Sequence, residues 1–60
     1  MNWAYKAYDT LHVFKSKKAA VADATEWAMS TEGAERDRAC RALAGFESGR
    51  SYVDTDALEA

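Results

Sequence analysis

His12 is the only histidine in this 60-residue chain and the first candidate for acid–base chemistry. A general base needs a hydroxyl, thiol or water held within reach, and a carboxylate usually orients its ring. Asp9 could orient His12 on a helix, and Cys40 could complete a Cys–His pair. However, the sequence has no glycine-rich turn for an oxyanion loop, and a chain this short has little left to enclose a substrate. We therefore predict a non-enzymatic protein in which His12 is a surface or boundary residue.

The residues that could hold a metal ion are too few or wrongly spaced. One cysteine and one histidine cannot complete a zinc site, and Cys40 falls on the stripe of its helix that we expect to face inward. Asp54, Asp56 and Glu59 contain the D-x-D spacing of a calcium loop, but the loop's glycine and its closing glutamate are missing. We therefore predict neither a metal nor another cofactor.

Basic residues form two groups that could contact nucleic acid. The arginines each have an acidic residue three or four positions earlier, which predicts a solvated, salt-bridged helix face. These acid–base pairs are Glu32–Arg36, Glu35–Arg38 and Asp37–Arg41. Lys15, Lys17 and Lys18 have no such partners. A helix-turn-helix placed on residues 19–41 lacks the usual glycine between its helices, so nucleic-acid binding is an alternative function and not the leading one.

Aromatic residues are the most informative feature, because five of them fall within the first 27 residues. They are Trp3, Tyr5, Tyr8, Phe14 and Trp27. Bulky rings could simply fill a small core, but Trp and Tyr are also enriched at interface hot spots. Rings left exposed beside lysines would form a mixed aromatic and basic patch. The partner-binding residues that this pattern predicts are Trp3, Tyr5, Lys6, Tyr8, Lys15, Lys17 and Lys18.

The N-terminal segment that carries most of these rings fits two structures. As a helix over residues 3–14, it has an apolar stripe and a clean polar face, with Val13 the misfit. As a hairpin, residues 3–8 would pair with residues 11–15 around Asp9 and Thr10, and Tyr52–Val53 would add a third strand. One face of that hairpin would carry Trp3, Tyr5, Ala7, His12 and Phe14. We favour the helix, since the turn lacks glycine.

Two further helices are predicted over residues 17–30 and 32–47. Ser16 is the expected N-cap of the first helix and Thr31 that of the second, while Gly49 marks the end of the second. The predicted fold is therefore mainly α, a three-helix domain with a short irregular C-terminal tail. The alternative is an α+β fold with the N-terminal hairpin packed on two helices.

Composition predicts one small domain over residues 1–60. Thirteen residues are alanine, the net charge is −2, and no run is long enough to span a membrane, so we expect a cytoplasmic protein. The surplus of aromatic side chains predicts a protein-binding module, a small regulator or inhibitor that occupies a surface of a larger protein. Many phage proteins of this size block host defence systems. The alternatives are a nucleic-acid-binding regulator and a self-associating structural protein, for example a homodimer.

Overall fold

The chain folds as two helices against one face of a three-stranded sheet. The computed structural model describes residues 2–57. Its elements are β1 (Trp3–Ala7), β2 (Thr10–Phe14), α1 (Lys17–Met29), α2 (Gly33–Glu47) and β3 (Tyr52–Asp54). The strand order is β2-β1-β3, with β2 antiparallel and β3 parallel to β1. The three-helix prediction is therefore wrong, and the alternative α+β fold is the one observed.

The first fourteen residues form a hairpin because alternation buries their rings better than a helical stripe would. Tyr5 and Ala7 are each only 4% exposed, and Trp3 lies on the same side of β1. The register places Tyr5 opposite His12, so the face expected for a hairpin is confirmed. The turn is one residue earlier than expected, at Tyr8 and Asp9, which both have positive φ, 53° and 60°. Two such residues are typical of a type I′ turn, whose twist matches that of the strands.

The third strand lies where the α+β alternative placed it, at Tyr52 and Val53. Val53 packs directly on α2 at Gly45, where an added Cβ would overlap the valine side chain. Thr55 then turns under the hairpin, and its amide and hydroxyl both donate to the carbonyl of Lys6, at 2.9 and 2.6 Å. Because Thr55 is only 1% exposed, these two bonds satisfy polar groups that have lost contact with water.

The helix ends follow local rules at two of the three predicted positions. Ser16 caps α1 by accepting the amide of Ala19 at 3.1 Å. The Gly49 amide donates to the carbonyl of the second-last residue of α2, and the φ of Gly49 is +99°. This residue therefore ends the helix, as predicted. The Thr31 cap is wrong: its hydroxyl donates to the carbonyl of Trp27 at 2.8 Å and so closes α1, while Glu32 starts α2 without a side-chain bond.

Small residues allow the helices to pack closely. Ala20 and Ala24 of α1 and Ala39 and Ala42 of α2 are fully buried, so alanine forms much of the helix interface. Cys40 is exposed, contrary to the inward stripe predicted for it. The physical reason is that α2 turns a narrower face inward, and a residue next to Ala39 is rotated by about 100° away from it. Across residues 2–57, neither helix has the length and apolar character needed to cross a membrane.

Candidate functional site

The outer face of the sheet is open to solvent, since both helices lie on the other side. Leu11, Val13 and Tyr52 point outward there and are 57%, 52% and 50% exposed. Lys6 lies among them beside Asp54, and the Asp54 and Asp9 carboxylates raise the pKa of Lys6. The charge of Lys6 on the central strand is thus offset by carboxylates, and the exposed apolar side chains flank it on β2 and β3.

Among residues 2–57, the outward backbone groups of the edge strand β2 have no hydrogen-bond partner. On the side of β1 that faces away from β2, the Ala4 amide and the Lys6 carbonyl each form a hydrogen bond of 2.9 Å with the segment that contains β3. These two residues therefore turn away from β2, and their partners Val13 and Leu11 form non-hydrogen-bonded pairs with β1. The N–H and C=O groups of Leu11 and Val13 consequently point out of the free edge of the sheet. We call these groups, with the strand that carries them, the β2 edge.

A cleft of about 480 Å³ opens beside this edge, between the hairpin and the helices. Its lining includes three carboxylates and no lysine or arginine, so we call it the acidic cleft. Thr10 and His12 of β2 belong to the lining, which places the cleft next to the β2 edge on its helix-facing side. The lining residues are Tyr5, Ala7, Tyr8, Thr10, His12, Asp23, Glu26, Trp27, Ser30 and Glu35.

Aromatic rings form the floor of the acidic cleft. The ring of Tyr5 stacks on Trp27 and on His12, with centroids 5.2 and 4.7 Å apart. Its hydroxyl donates to Asp23 at 2.7 Å, and burial together with this bond raises the pKa of Tyr5. The carboxylate of Glu26 is exposed at the rim and accepts no hydrogen bond from residues 2–57. The floor is therefore rigid, while the rim carries an available negative charge.

The hairpin turn is held by the carboxylate of Asp56, an arrangement we call the Asp56 clasp. Its two oxygens accept the amides of Tyr8 and Asp9, at 2.7 and 2.9 Å, and the guanidinium of Arg38 pairs with it as well. The amides of Asp9 and Tyr8, with Arg38, lower the pKa of Asp56. Arg38 also lies over the ring of Tyr8, 4.4 Å from its centroid, and the Tyr8 hydroxyl donates to Glu35 at 2.6 Å.

The predicted partner-binding residues do not lie on one surface. Trp3 and Lys17 come together at the base of the hairpin, with the ammonium 6.0 Å from the ring centroid, and Lys15 and Lys18 are exposed nearby. Tyr8 is 59% exposed at the opposite end, about 17 Å away along five residues of strand. The other two are separated by the sheet itself: Tyr5 is in the core, and Lys6 is on the outer face.

The residues considered for catalysis and metal binding are also apart. The carboxylate of Asp9 lies 3.5 Å from Lys6 and not beside His12, while Cys40 is exposed on α2. Asp54 accepts the amide of Asp56 at 2.9 Å, and Glu59 lies outside the described residues. Over the part of the chain that the structure describes, no three His, Cys, Asp or Glu side chains are grouped to hold a metal ion.

Sequence reasoning missed the residues that the structure makes prominent. Leu11 and Val13 could have been found from the hairpin alternative, because side chains alternate along β2. Their side chains therefore lie on the face of the strand that His12 and Phe14 do not occupy. No spacing in the sequence indicates that Asp23 and Glu26 line a cleft. Nothing in the local sequence indicated that Asp56 would reach a turn 47 residues away.

Comparison of the chain with known proteins adds no further assignment. No protein family model, no curated protein and no solved structure matches it.

Proposed function

We propose that this chain is a non-enzymatic protein-binding module, a small regulator or inhibitor that occupies a surface of a larger protein through its β2 edge. The observation that carries the proposal is the unpaired backbone of Leu11 and Val13 on an exposed strand. An extended segment of a partner would add to the sheet as a fourth strand, antiparallel or parallel to β2. Main-chain hydrogen bonds would give affinity, and alternate side chains would give specificity.

The β2 edge lacks the devices by which proteins protect a free strand. Natural edges carry lysine, proline, a bulge or an inward-pointing charge, which prevent pairing with other chains. The residues of β2 are Thr, Leu, His, Val and Phe, and their five pairs with β1 run without a bulge. Four of the five are exposed. A strand of this kind is a template for pairing, which supports an interaction role.

The outer face supports the same proposal but is too small to act alone. Strands of five, five and three residues cover roughly 200 Å², from strand spacing and rise. A stable interface buries about 800 Å² on each partner. A partner that pairs with the β2 edge would gain contacts on both sides of the strand, with Leu11 and Val13 on one side and the acidic cleft on the other. The edge is thus the centre of the proposed interface.

The proposed regulator would act in the cytoplasm, where its single and exposed Cys40 would stay reduced. A role in blocking a host defence system stays part of this proposal. A second copy of the chain and a nucleic acid are the competing partners. Pairing of β2 with β2 of a second copy would use the same edge, whereas nucleic acid would use Lys15, Lys17 and Lys18 at the base of the hairpin.

The test compares capture by the wild type with capture by Val13→Pro. Proline removes the outward amide of Val13, which makes no bond within the sheet, so the fold should survive while edge pairing is lost. The matched control is Tyr52→Ser, which changes the outer face and leaves the β2 edge intact. Each protein is immobilised and exposed to a bacterial lysate, and bound proteins are identified by mass spectrometry.

The proposal requires a protein that the wild type and Tyr52→Ser retain and that Val13→Pro loses. If the wild type and both variants retained the same protein equally, the interface would lie outside the β2 edge. Sedimentation over a range of concentrations separates the homodimer, because self-pairing at the edge would give a wild-type dimer and a monomeric Val13→Pro. A duplex or single-stranded oligonucleotide shifted at about 50 mM salt, and released as salt rises, would instead favour nucleic-acid binding.

A further inference from the structure

We infer that the acidic cleft selects a partner strand with an arginine or lysine side chain at the position opposite His12. This inference rests on the proposed function, because it assumes that the partner pairs with the β2 edge. It adds the chemistry by which the partner would be recognised.

A strand paired with β2 presents its side chains alternately to the outer face and to the helices. Residues opposite Leu11 and Val13 would lie over the outer face, and the residue opposite His12 would point toward the helix side. That side of the β2 edge is the acidic cleft, to which His12 and Thr10 both contribute. The incoming side chain would therefore enter the cleft from its open side.

The charge of the cleft determines which side chain it would accept. Asp23, Glu26 and Glu35 line it, and no lysine or arginine does. Asp23 and Glu35 each accept a tyrosine hydroxyl, and the exposed Glu26 carboxylate accepts no hydrogen bond from residues 2–57. An acidic side chain would be repelled by the three carboxylates, whereas a cation would be attracted by them, most directly by Glu26. This attraction is screened by salt.

The rings of the cleft favour a cation for a second, independent reason. Trp27 is only partly buried, lines the cleft and stacks on the buried ring of Tyr5 with an interplanar angle of 14°. The negative face of an aromatic ring attracts ammonium and guanidinium groups, and a guanidinium also stacks on it. The chain already shows this contact at the hairpin turn, where the guanidinium of Arg38 lies over Tyr8. A long basic side chain would thus lay its stem on Trp27 and its charge at Glu26.

A second copy of the chain fits this requirement poorly. Antiparallel pairing of β2 about a two-fold axis at its centre would place His12 of one copy opposite the same residue of the other. The β2 strand has no lysine or arginine between Thr10 and Phe14. The charge of the cleft therefore favours a different chain as the partner.

The experiment uses the full-length protein and three synthetic heptapeptides with blocked ends, Thr-Val-Thr-Xaa-Thr-Val-Thr, in which Xaa is Arg, Gln or Glu. Binding is followed by NMR through the amide shifts of residues 10–14 and by the fluorescence of the tryptophans. We expect the Arg peptide to bind about tenfold more tightly than the Gln peptide, and the Glu peptide to bind more weakly than both. The preference should shrink as salt is raised.

Two variants locate the charge that makes the choice. Glu26→Gln should lower affinity for the Arg peptide about threefold, and Glu26→Lys should reverse the order of the Arg and Glu peptides. The Glu26 carboxylate is exposed and accepts no hydrogen bond within residues 2–57, so neither change should unfold the chain. Glu47→Gln is the matched control, since it removes the same charge at a site outside the cleft. It should leave all three affinities unchanged.

The outcomes separate the inference from the proposed function. Equal binding of the Arg and Gln peptides at residues 10–14 would overturn the inference and leave pairing at the β2 edge intact. Shifts confined to other residues, or no binding by any peptide, would overturn both. An Arg preference that survives Glu26→Lys unchanged would also contradict the role of the acidic cleft.

Discussion

The two edges of the sheet are finished in opposite ways. The β3 edge is three residues long, packs on α2 through Val53 and Gly45, and is followed at once by the buried Thr55 and the Asp56 clasp. The β2 edge is five residues long, mostly exposed, and has no corresponding cover among residues 2–57. Both flank the same central strand. The two edges therefore differ in length and in exposure, and β2 is the longer and more exposed of the two.

Phe46→Ala should have the largest effect, because Phe46 supports both edges through the central strand. Phe46 is fully buried, and its ring centroid lies 6.2 Å from that of Trp3 and 6.3 Å from that of Tyr5. Removing a buried phenylalanine costs about 3–5 kcal/mol. A domain of this size has a total stability of only about 3–9 kcal/mol. We therefore expect loss of cooperative thermal unfolding by circular dichroism.

The control for Phe46→Ala is Met29→Ala, whose side chain is 82% exposed and should be removed at almost no cost. If Phe46→Ala kept a sharp transition within a few degrees of the wild type, the two edges would not share one core. The β2 edge and the β3 edge would then belong to two regions that unfold independently.

Gly45→Ala tests whether the β3 edge depends on close packing with α2. An added methyl group overlaps Val53, and overpacking of this kind costs about 1–3 kcal/mol. Better helix propensity offsets up to about 1 kcal/mol, so we expect a net loss of about 1–2 kcal/mol in urea unfolding. The double variant with Val53→Ala should lose less than the sum of the two single changes. Additive losses would show that the contact at Gly45 is not the cause.

Asp56→Asn tests the clasp, and its effect should depend on pH. The folded pKa of Asp56 is lowered below its ordinary value of 3.8 by the amides of Asp9 and Tyr8. A carboxylate whose pKa is lower in the folded protein than in the unfolded chain stabilises the fold at any pH above the unfolded pKa. This stabilisation is lost as the pH falls through the pKa of the folded protein. The wild type should thus be more stable than Asp56→Asn at pH 7, and the difference should narrow below about pH 4.

The measurement for the clasp is urea unfolding of both proteins at neutral and acidic pH. Asp37→Asn is the control, because Asp37 is an exposed acidic residue outside the clasp. A stability difference between the wild type and Asp56→Asn that is the same at both pH values would mean that the charge of Asp56 does not hold the turn.

Val13→Thr should have the smallest effect, and it compares the two edges directly. Val13 is 52% exposed, so the change should alter the free energy of unfolding by less than about 0.5 kcal/mol. The same substitution at Val53, which is 9% exposed, buries a hydroxyl and should cost about 1–3 kcal/mol. Chemical denaturation of the pair measures both values. Equal losses at the two positions would remove the distinction between an open and a covered edge.

Local signals in the sequence predicted the helices well and the N-terminal segment poorly. Ser16 and Gly49 were correctly identified as the start of α1 and the end of α2, because capping depends on residues within one turn. Residues 3–14 fitted both periodicities, and the absence of glycine from the turn favoured the wrong one. Tyr8 and Asp9 adopt positive φ without glycine because Asp56, far along the chain, binds their amides.

The candidate site was less predictable, because it depends on which elements meet. That the β2 edge is free follows from the strand order, which is set by Val53 pairing beside Tyr5. The acidic cleft combines Asp23 and Glu26 of α1 with Glu35 of α2, and no spacing in the sequence predicts that they line one space. Conversely, the seven residues predicted as one patch were grouped by their position in the chain and not in space.

The position of β1 has a consequence for the way the protein is made. The central strand β1 leaves the ribosome before β2 and β3, and its parallel neighbour is joined to it by contacts between residues up to 49 positions apart. The hairpin and the helices can associate during synthesis, but β1 has a bare side until β3 emerges. Contacts so distant in sequence form late. A nascent chain that stalls before Tyr52 therefore exposes the bare side of β1, the central strand, in addition to the β2 edge.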